Sequence, residues 1–138
     1  MADRVRKVSY CHVSVPTRAG QGAKMLGALQ EAGVNLVAYT GFPGKAGKSQ
    51  LDFVTDDMAG LRRVARKGGW RLSKTKRGFL VQGDDKLGAV HRLFERLAGE
   101  RINVVAAEAV AAGKGRYGMI LWVNPKSYAR AAKVLKAK

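Results

Sequence analysis

The sequence predicts an α+β protein with two βαββαβ repeats in tandem, the second of which lacks its last strand. One observation behind this class is a set of residues that recurs at a single offset of 68 positions (88 − 20 = 68). A second is that each copy alternates strand-like and helix-like apolar spacing. A third is the 46% hydrophobic content of the 138 residues, which is enough to bury a core. The recurring pairs are Gly20 with Gly88, Leu29 with Leu97, Val34-Asn35 with Ile102-Asn103, and Val37 with Val105.

The first repeat is expected to cover residues 8–76, in the order strand, helix, strand, strand, helix, strand. Its two helices place their apolar side chains on one face and stop at glycine, at Gly33 and at Gly68-Gly69. Asp56 or Asp57 is predicted to cap the second helix. The predicted strands are 8–15, 34–39, 50–54 with Leu51 and Phe53 inward and Asp52 outward, and 70–76.

The second repeat is expected to cover residues 77–138. Asn124 is predicted to cap its second helix, with Pro125 at the first helical position. No strand pattern follows that helix, so the strand at 79–82 should lack one neighbour. We expect the neighbouring strand at 70–76 or a second subunit to cover it. The predicted strands of this repeat are 79–82, 102–110 and 117–123.

The charge of the chain bears on its partners. The 26 Lys and Arg against 10 Asp and Glu give a formal net charge of +16, which attracts nucleic acid or other polyanions whatever the fold. A high positive charge also occurs where exposed basic side chains only keep a protein soluble. Binding of polyanions and simple solubility therefore both stay open as interpretations. No apolar run reaches the roughly 18–20 residues of a membrane helix, and no signal-peptide pattern follows Met1. We therefore expect a cytoplasmic protein without a membrane partner.

The sequence has no pattern typical of a metal, a cofactor or a catalytic group. Cys11 is the single cysteine, and His12 and His91 are the two imidazoles, so no zinc-ligand spacing exists. His12 lies on an alternating strand, where a packed or boundary histidine is expected instead of a general base. Cys11 is expected to be a small buried residue. The prediction is a protein that is not an enzyme and carries no cofactor.

Two glycine-rich stretches resemble nucleotide-binding motifs without satisfying them. Residues 41–49, GFPGKAGKS, are one residue too long for a phosphate-binding loop and lead into a strand instead of the required helix. The stretch Gly20-Gln-Gly22 would need a further glycine where Met25 stands. Asp84-Asp85 are expected to form a turn and to cap the helix behind it, not to act as a catalytic pair.

Two stretches in each copy resemble a known family. Residues 79–90, FLVQGDDKLGAV, are similar to the first strand, acidic-basic turn, glycine and first helix of the ACT domain, a small regulatory module that binds amino acids and other metabolites. Residues 101–104, RINV, resemble its second strand, and residues 15–20 and 33–36 occupy the same places in the first copy. The likeness covers about residues 8–138 and implies two ferredoxin-like, ACT-like repeats without a catalytic or DNA-binding domain.

This resemblance implies a binding site for a small ligand, an amino acid, at the loop after the first strand of each repeat. A glycine there lets the backbone approach closely, and the helix start offers free N–H groups to a carboxylate. The family's usual proline before the glycine is replaced by Ala19 and Leu87, and its acidic position is Thr17 in the first copy. Asparagines on the adjoining strand would add donors and acceptors, or satisfy their own backbone. The predicted ligand-binding residues are Thr17, Arg18, Ala19, Gly20, Asn35, Asp85, Lys86, Leu87, Gly88 and Asn103.

A basic nucleic-acid-binding protein is the rival hypothesis, because RNA-recognition modules share the βαββαβ order. The stretch GRYGMILW partly matches their third-strand motif, in which aromatic side chains on the open sheet face stack on bases. Alignment with the first copy predicts Ile120 and Trp122 inward, with Tyr117, Met119 and Leu121 on the open face. An apolar open face would also suit a homodimer, as would a free sheet edge. A scaffold that binds no ligand is the third hypothesis.

Overall fold

The computed structural model of the chain describes residues 3–138, which divide into two compact units. The first unit is Ser9–Lys76, and the second is formed by residues 3–8 together with Arg77–Lys138. The described residues form six strands, four α-helices and one short 3-10 helix, which confirms the predicted α+β class. In this part of the chain no helix is long and apolar enough to cross a membrane.

The first unit packs two helices on an antiparallel sheet. Strand β3 pairs on one side with β2 and on the other with β1. The helical faces carry Met25, Leu29 and Leu61 into a core that also contains Cys11 and Phe53. Burial of Cys11 confirms its predicted role as a small core residue. The elements are β1 (Arg4–Pro16, shared with the second unit), α1 (Gln21–Glu31), β2 (Ala38–Pro43), β3 (Lys48–Val54) and α2 (Met58–Gly68).

The second unit repeats this arrangement. Strand β6 pairs antiparallel with β4 on one side and with β5 on the other. The core includes Leu93 and Leu97 from one helix and Ala131 and Leu135 from the other. Asn124 accepts a hydrogen bond from the Lys126 amide at 2.9 Å, so the predicted cap forms, on a 3-10 turn. The elements are β4 (Lys76–Asp84), α3 (Ala89–Gly99), β5 (Val104–Gly113), β6 (Arg116–Val123), the 3-10 helix Pro125–Ser127 and α4 (Tyr128–Leu135).

The strand that the second repeat lacks is supplied by the first residues of β1. In the hydrogen-bonded strand order, β1 lies directly beside β4. Val5 is buried in the same core as Phe79 and Val81, and its carbonyl accepts a hydrogen bond from the Lys138 amide at 3.0 Å. The expected cover by a strand at 70–76 or by a second subunit was therefore wrong, because the beginning of the same chain occupies this edge.

Residues 70–75 do not form the predicted strand; their backbone is irregular, and regular pairing begins at Lys76. Ser73 makes a single bridge to β1, donating its amide to the His12 carbonyl and accepting from the His12 amide with its hydroxyl, both at 2.9 Å. Trp70 stacks on Phe53 with ring centroids 5.8 Å apart. The segment therefore contacts the sheet through one backbone bond and through side chains, without forming a ladder of backbone bonds.

The hairpin strands begin later than predicted in both copies. The Val34 amide donates to the Leu29 carbonyl, and the Ile102 amide donates to the Leu97 carbonyl, both at 2.9 Å. These bonds tie the residues after each helix back to its last turn, so the second strands start at Ala38 and Val104. The hairpins themselves are confirmed.

The predicted facing of β6 was wrong by one residue. Tyr117, Met119 and Leu121 are buried in the core with α3 and α4. The offset of 68 that relates the repeats aligns Leu51 with Met119, whereas the expectation had placed Ile120 inward. Because side chains alternate along a strand, a slip of one residue exchanges the two faces. Tyr117 is thus a core residue and does not lie on an open sheet face where it would stack on bases.

Candidate functional site

The strand-to-helix turn of the second unit is fixed by two backbone hydrogen bonds. Asp85 donates its amide to the Gly115 carbonyl at 2.8 Å, which anchors the turn on the β5–β6 hairpin. Ala89 donates its amide to the Lys86 carbonyl at 3.0 Å. Gly88 is the N-cap of α3 with a φ of 79°, a left-handed conformation that favours glycine. The helix therefore starts directly behind a glycine that carries no side chain.

Among the described residues, no side chain caps α3. The expectation that Asp84 or Asp85 caps this helix was wrong, since Asp84 ends β4 and accepts a hydrogen bond from Arg116 at 2.7 Å. The first amides of an α-helix have no partner within the helix, and they carry the positive end of its dipole. The start of α3 is thus chemically suited to an anionic group.

A cavity of about 270 Å³ lies at this turn. The turn contributes Asp85, Lys86 and Gly88, the helix start contributes residues 89–91, β5 contributes residues 109–111, and β6 contributes Tyr117. Leu87 is fully exposed and lies on the outside of the turn. Three of the predicted ligand-binding residues, Asp85, Lys86 and Gly88, are therefore brought together around one cavity.

Tyr117 and Asp3 form a buried polar pair in the same unit, and the sequence did not reveal it. Tyr117 is 5% exposed and the Asp3 side chain 8% exposed. Asp3 Oδ2 lies 3.4 Å from Arg92 Nη2, and the Asp3 carboxylate lies beside the buried Tyr117 hydroxyl. Burial, and then the negative charge of Asp3, raise the pKa of Tyr117, and a hydrogen-bonding interaction with Asp3 acts in the same direction.

Gly83 explains how a carboxylate reaches this position. A Cβ atom at Gly83 would collide with the Asp3 carboxylate, and it would lie 2.9 Å from Cε1 of Tyr117. Gly83 pairs directly with Tyr117 across β4 and β6. The missing side chain near the end of β4 thus leaves the space that the Asp3 carboxylate fills.

The turn of the first unit repeats the same bonds at the same offset. Thr17 donates its amide to the Gly47 carbonyl at 2.9 Å, and Gln21 donates its amide to the Arg18 carbonyl at 3.2 Å. Gly20 is the N-cap of α1 with a φ of 87°. A cavity of about 260 Å³ lies beside the turn, lined among others by Thr17, Arg18, Ala19, Tyr39 and Ser49. The two turns are therefore copies of one local structure.

The polar groups of the first cavity are arranged differently from those of the second. The hydroxyls of Thr17 and Ser49 lie 2.7 Å apart and form a hydrogen bond with each other. Ser49 pairs with Val15 across β1 and β3, at the place where Tyr117 pairs with Gly83 in the second unit. The Thr17 and Ser49 hydroxyls of the first cavity thus satisfy each other.

The two predicted asparagines lie away from these turns. Asn35 lines a separate cavity of about 400 Å³ with Leu26, Gln30 and Leu36, and its carbonyl accepts a hydrogen bond from the Thr55 hydroxyl at 2.7 Å. Asn103 is exposed in the link between α3 and β5. The second-strand residues that line the strand-to-helix cavities are instead Tyr39 in the first unit and residues 109–111 in the second.

A second polar cluster lies on the first unit's sheet, on the face opposite its helices. Asp52, predicted to point outward, is 3% exposed and accepts hydrogen bonds from the Thr40 hydroxyl at 2.7 Å and from the side-chain Nε2 of Gln50 at 3.1 Å. Burial, and then the charge of Asp52, raise the pKa of Tyr10 to about 12. Burial also lowers the pKa of half-buried His12, assisted by Lys76 and opposed by Asp52. His12 is thus a boundary histidine, as predicted.

The described residues hold no group of three or more His, Cys, Asp or Glu side chains placed to bind a metal ion. Exposed basic side chains lie on the helices of both units. Arg63, Arg66 and Lys67 are exposed on α2, and Lys126 and Lys133 are exposed at the other end of the chain. The last turn of α2 places two of these cations at the negative end of the helix dipole.

The fold and the repeated turn define the class of structure: the chain has an ACT-like fold. It matches the ligand-free regulatory subunit of aspartate kinase from Thermus thermophilus with a TM-score of 0.67 at 14% sequence identity, covering 98% of this chain and 93% of that one. The corresponding subunit from Thermus flavus gives 0.60 at 19% identity, with coverage of 98% and 94%.

A third similar structure is a protein from Bacteroides thetaiotaomicron, with a TM-score of 0.81 at 13% identity, covering 97% of this chain and 88% of that one. At such identities the similarity concerns the fold. No protein-family model matches the sequence, and no curated protein matches it in sequence either.

Proposed function

We propose that this chain is a non-catalytic regulatory protein that binds a small ligand, an amino acid, at the strand-to-helix turn of its ACT-like repeats. The observation that carries the proposal is a helix start without a side-chain cap, placed behind a left-handed glycine and facing a cavity of about 270 Å³. Ligand pockets commonly span roughly 300–1,000 Å³, so this cavity suits a small metabolite better than a nucleotide.

The chemistry of the cavity agrees with a carboxylate ligand. Helix N-termini bind anions through their unpaired amides and their dipole, and Lys86 on the turn adds a positive charge. Three similar structures support a regulatory role, since two are regulatory subunits of aspartate kinase and a third contains aspartokinase alpha and beta subunits. The turn is held by backbone hydrogen bonds. Such a turn suits a binding module, because binding requires no catalytic side chain at this position.

A thermal-shift screen of the twenty common L-amino acids tests the proposal. A ligand at 100 times its dissociation constant stabilises a protein by about 2.7 kcal/mol, so a binder should raise the melting temperature by several degrees. Val90→Pro removes one amide of the α3 start at a position where proline is tolerated, and it should weaken binding. Gly22→Pro makes the matching change in the first unit. If no amino acid raises the melting temperature of the wild-type protein, the proposal fails.

Binding of nucleic acid is a second candidate function, favoured by the charge distribution. Residues 58–76 contain seven basic residues and no acidic one, namely Arg62, Arg63, Arg66, Lys67, Arg71, Lys74 and Lys76. Such a run of cations would attract the phosphate backbone of a nucleic acid, and the affinity would then fall steeply with salt.

Fluorescence anisotropy with single-stranded RNA and with duplex DNA, at about 50 and 200 mM salt, tests this second function. The double variant Arg63→Gln/Lys67→Gln should lower both the affinity and its salt slope. Lys126→Gln/Lys133→Gln is the charge-matched control on the other repeat. Equal effects of the two variants would exclude α2 as a specific nucleic-acid surface.

A homodimer through the β5 edge also belongs to the proposal. β5 has one neighbour in the strand order, and Val105 and Val110 on it are 62% and 69% exposed. Exposed apolar edge strands pair readily with another chain. Light scattering over a dilution series should detect a dimer in the wild-type protein and more monomer in Val110→Lys. A wild-type protein that stays monomeric at all concentrations would rule the dimer out.

A further inference from the structure

The outward face of α2 consists of cations and one small residue. The helix buries the side that carries Leu61 and Val64. Between Asp57 and Asp84 the sequence contains no acidic residue, so no carboxylate of the next helical turn neutralises the opposite side. At 3.6 residues per turn, the positions on that opposite side are Ala59, Arg62, Arg63, Arg66 and Lys67.

This arrangement destabilises the helix when no partner is bound. Like charges four residues apart repel each other on a helix surface, and α2 has two such pairs, Arg62 with Arg66 and Arg63 with Lys67. The helix dipole favours Arg66 and Lys67, which lie in the last turn, but not the two arginines before them. An anionic partner on this face would relieve the repulsion.

Arg62 is held in place by neutral groups. Its Nη2 donates to the Thr75 hydroxyl at 2.5 Å and lies 3.5 Å from the Cys11 sulfur. Among the described residues no carboxylate forms an ion pair with it. A guanidinium has five N–H donors in a planar fork, and two parallel N–H groups match two oxygens of a phosphate. Both contacts of Arg62 use the same nitrogen, so the donors of Nη1 and Nε remain for an anion.

The bond between Arg62 and Thr75 brings a second basic segment to the helix. Thr75 follows Lys74, and both are exposed in the irregular stretch between α2 and β4. Arg66 lies one helical turn further along α2 from Arg62. Cations from the helix and from the stretch behind it therefore flank one ordered guanidinium.

The aromatic side chain of this stretch is not free to stack on bases. Trp70 stacks on Phe53 with ring centroids 5.8 Å apart and packs against the core of its unit. Single-stranded nucleic acid is held by aromatic side chains as well as by cations. A lipid surface would require large apolar side chains, and the only apolar residue on the outward face of α2 is Ala59. Charge complementarity thus favours the phosphate backbone of a duplex.

Resting on the second candidate function, we infer that Arg62, oriented by Thr75, is the anchor of a surface that binds the phosphate backbone of duplex nucleic acid. Arg62 binds one phosphate through two N–H groups, and Arg66 and Lys74 contact the neighbouring phosphates. Binding does not depend on the base sequence, because phosphate contacts position a duplex without identifying its bases.

Fluorescence anisotropy of the full chain with a short duplex DNA and with its separate strands tests the inference, at about 50 and 200 mM salt. The wild-type protein should bind the duplex more tightly than either strand. Thr75→Ala changes no charge at an exposed position, yet it should weaken duplex binding about fivefold with an unchanged salt slope, because the guanidinium loses its fixed orientation. Arg62→Gln should weaken binding at least as much and reduce the salt slope by about one.

Lys24→Gln is the charge-matched control, since Lys24 is an exposed cation on α1 of the same unit. It should have less effect than Arg62→Gln. An unchanged affinity in Thr75→Ala, an equal loss in Lys24→Gln, or tighter binding of single strands would overturn this inference and leave the second candidate function standing. Binding to phosphatidylserine vesicles without binding to any nucleic acid would overturn both. Neither result bears on the thermal-shift screen with amino acids.

Discussion

Ser73 and His12 exchange two hydrogen bonds in which a side chain replaces a backbone group. The Ser73 amide donates to the His12 carbonyl at 2.9 Å, and the Ser73 hydroxyl accepts from the His12 amide at the same distance. The hydroxyl also donates to the Lys74 carbonyl at 2.9 Å. The segment after α2 is thereby held on β1 without forming a strand.

Ser73→Ala should destabilise the protein. The substitution leaves the His12 amide without its acceptor, and an unsatisfied buried donor costs about 1–2 kcal/mol in the free energy of unfolding. Urea denaturation measures the change. Ser14→Ala is the control on the same strand, since Ser14 is exposed, and it should stay within about 0.5 kcal/mol of wild type. A Ser73→Ala variant as stable as Ser14→Ala would mean that water replaces the hydroxyl without loss.

Val5→Ala should lower the free energy of unfolding by about 2 kcal/mol. Val5 is 4% exposed and belongs to the core of the second unit, although it is far in sequence from the rest of that core. The loss combines the burial of two methyl groups with the cavity left behind. Lys7→Ala, at an exposed position of the same strand, is the control and should have little effect. Equal effects of the two substitutions would contradict the assignment of residues 3–8 to the second unit.

Two glycine-to-alanine substitutions in the first unit should have opposite signs. Gly27 lies inside α1, and the space that a Cβ atom would occupy there is open, so Gly27→Ala should stabilise the protein by about 0.5–1 kcal/mol through helix propensity. Gly60 lies in the first turn of α2, where a Cβ atom would come within 2.8 Å of Val34 Cγ2 and would also collide with the capping carboxylate of Asp57.

Gly60→Ala should therefore lower the melting temperature even though alanine favours helices. Thermal denaturation of both variants measures the difference. If Gly60→Ala were stabilising by as much as Gly27→Ala, the close approach of α2 to Val34 would be wrong.

The stability of the protein should fall in mild acid because of His12. Burial, then the charge of Lys76, hold the pKa of His12 below the usual value of 6.5, with Asp52 acting in the opposite direction. Below that value the unfolded chain binds a proton that the folded chain does not, so the free energy of unfolding decreases as the pH falls. His12→Gln should show a smaller loss in melting temperature between about pH 7.5 and pH 5.5 than wild type.

His91→Gln is the control for this pH dependence, because His91 is an exposed histidine on α3. It should retain the wild-type decrease. A His12→Gln variant with the full wild-type decrease would assign the effect to other groups.

The repeat and its turns could be predicted because they depend on local signals. Gly20 and Gly88 recur at one offset, and the structure gives both the same left-handed backbone and the same flanking hydrogen bonds. The sequence pattern predicts a strand at 70–76. It does not reveal that the Ser73 side chain would accept the hydrogen bond of the His12 amide in place of a backbone carbonyl. The prediction of which β6 side chains face the helices was wrong because the alignment was shifted by one residue, and such a shift exchanges the two faces of a strand.

The Tyr117–Asp3 pair could not be predicted from local patterns. Its members are more than a hundred residues apart, and Asp3 reaches Tyr117 because β1 continues past the first unit to lie beside β4. Gly83 was the one available signal, since a glycine within a strand often marks a close approach. Nothing in the sequence identifies what approaches it.

The sharing of β1 has a consequence for synthesis of the chain. Residues 4–8 leave the ribosome before β4, and 68 more residues must be added between Val8 and Lys76 (76 − 8 = 68). At about 5–20 residues per second, this interval lasts roughly 3–14 s. During this interval the apolar side chains of residues 4–8 have no core to pack into, whereas the rest of β1 can already pair with β3. We expect residues 4–8, made before β4, to serve as the template on which the second unit assembles during synthesis.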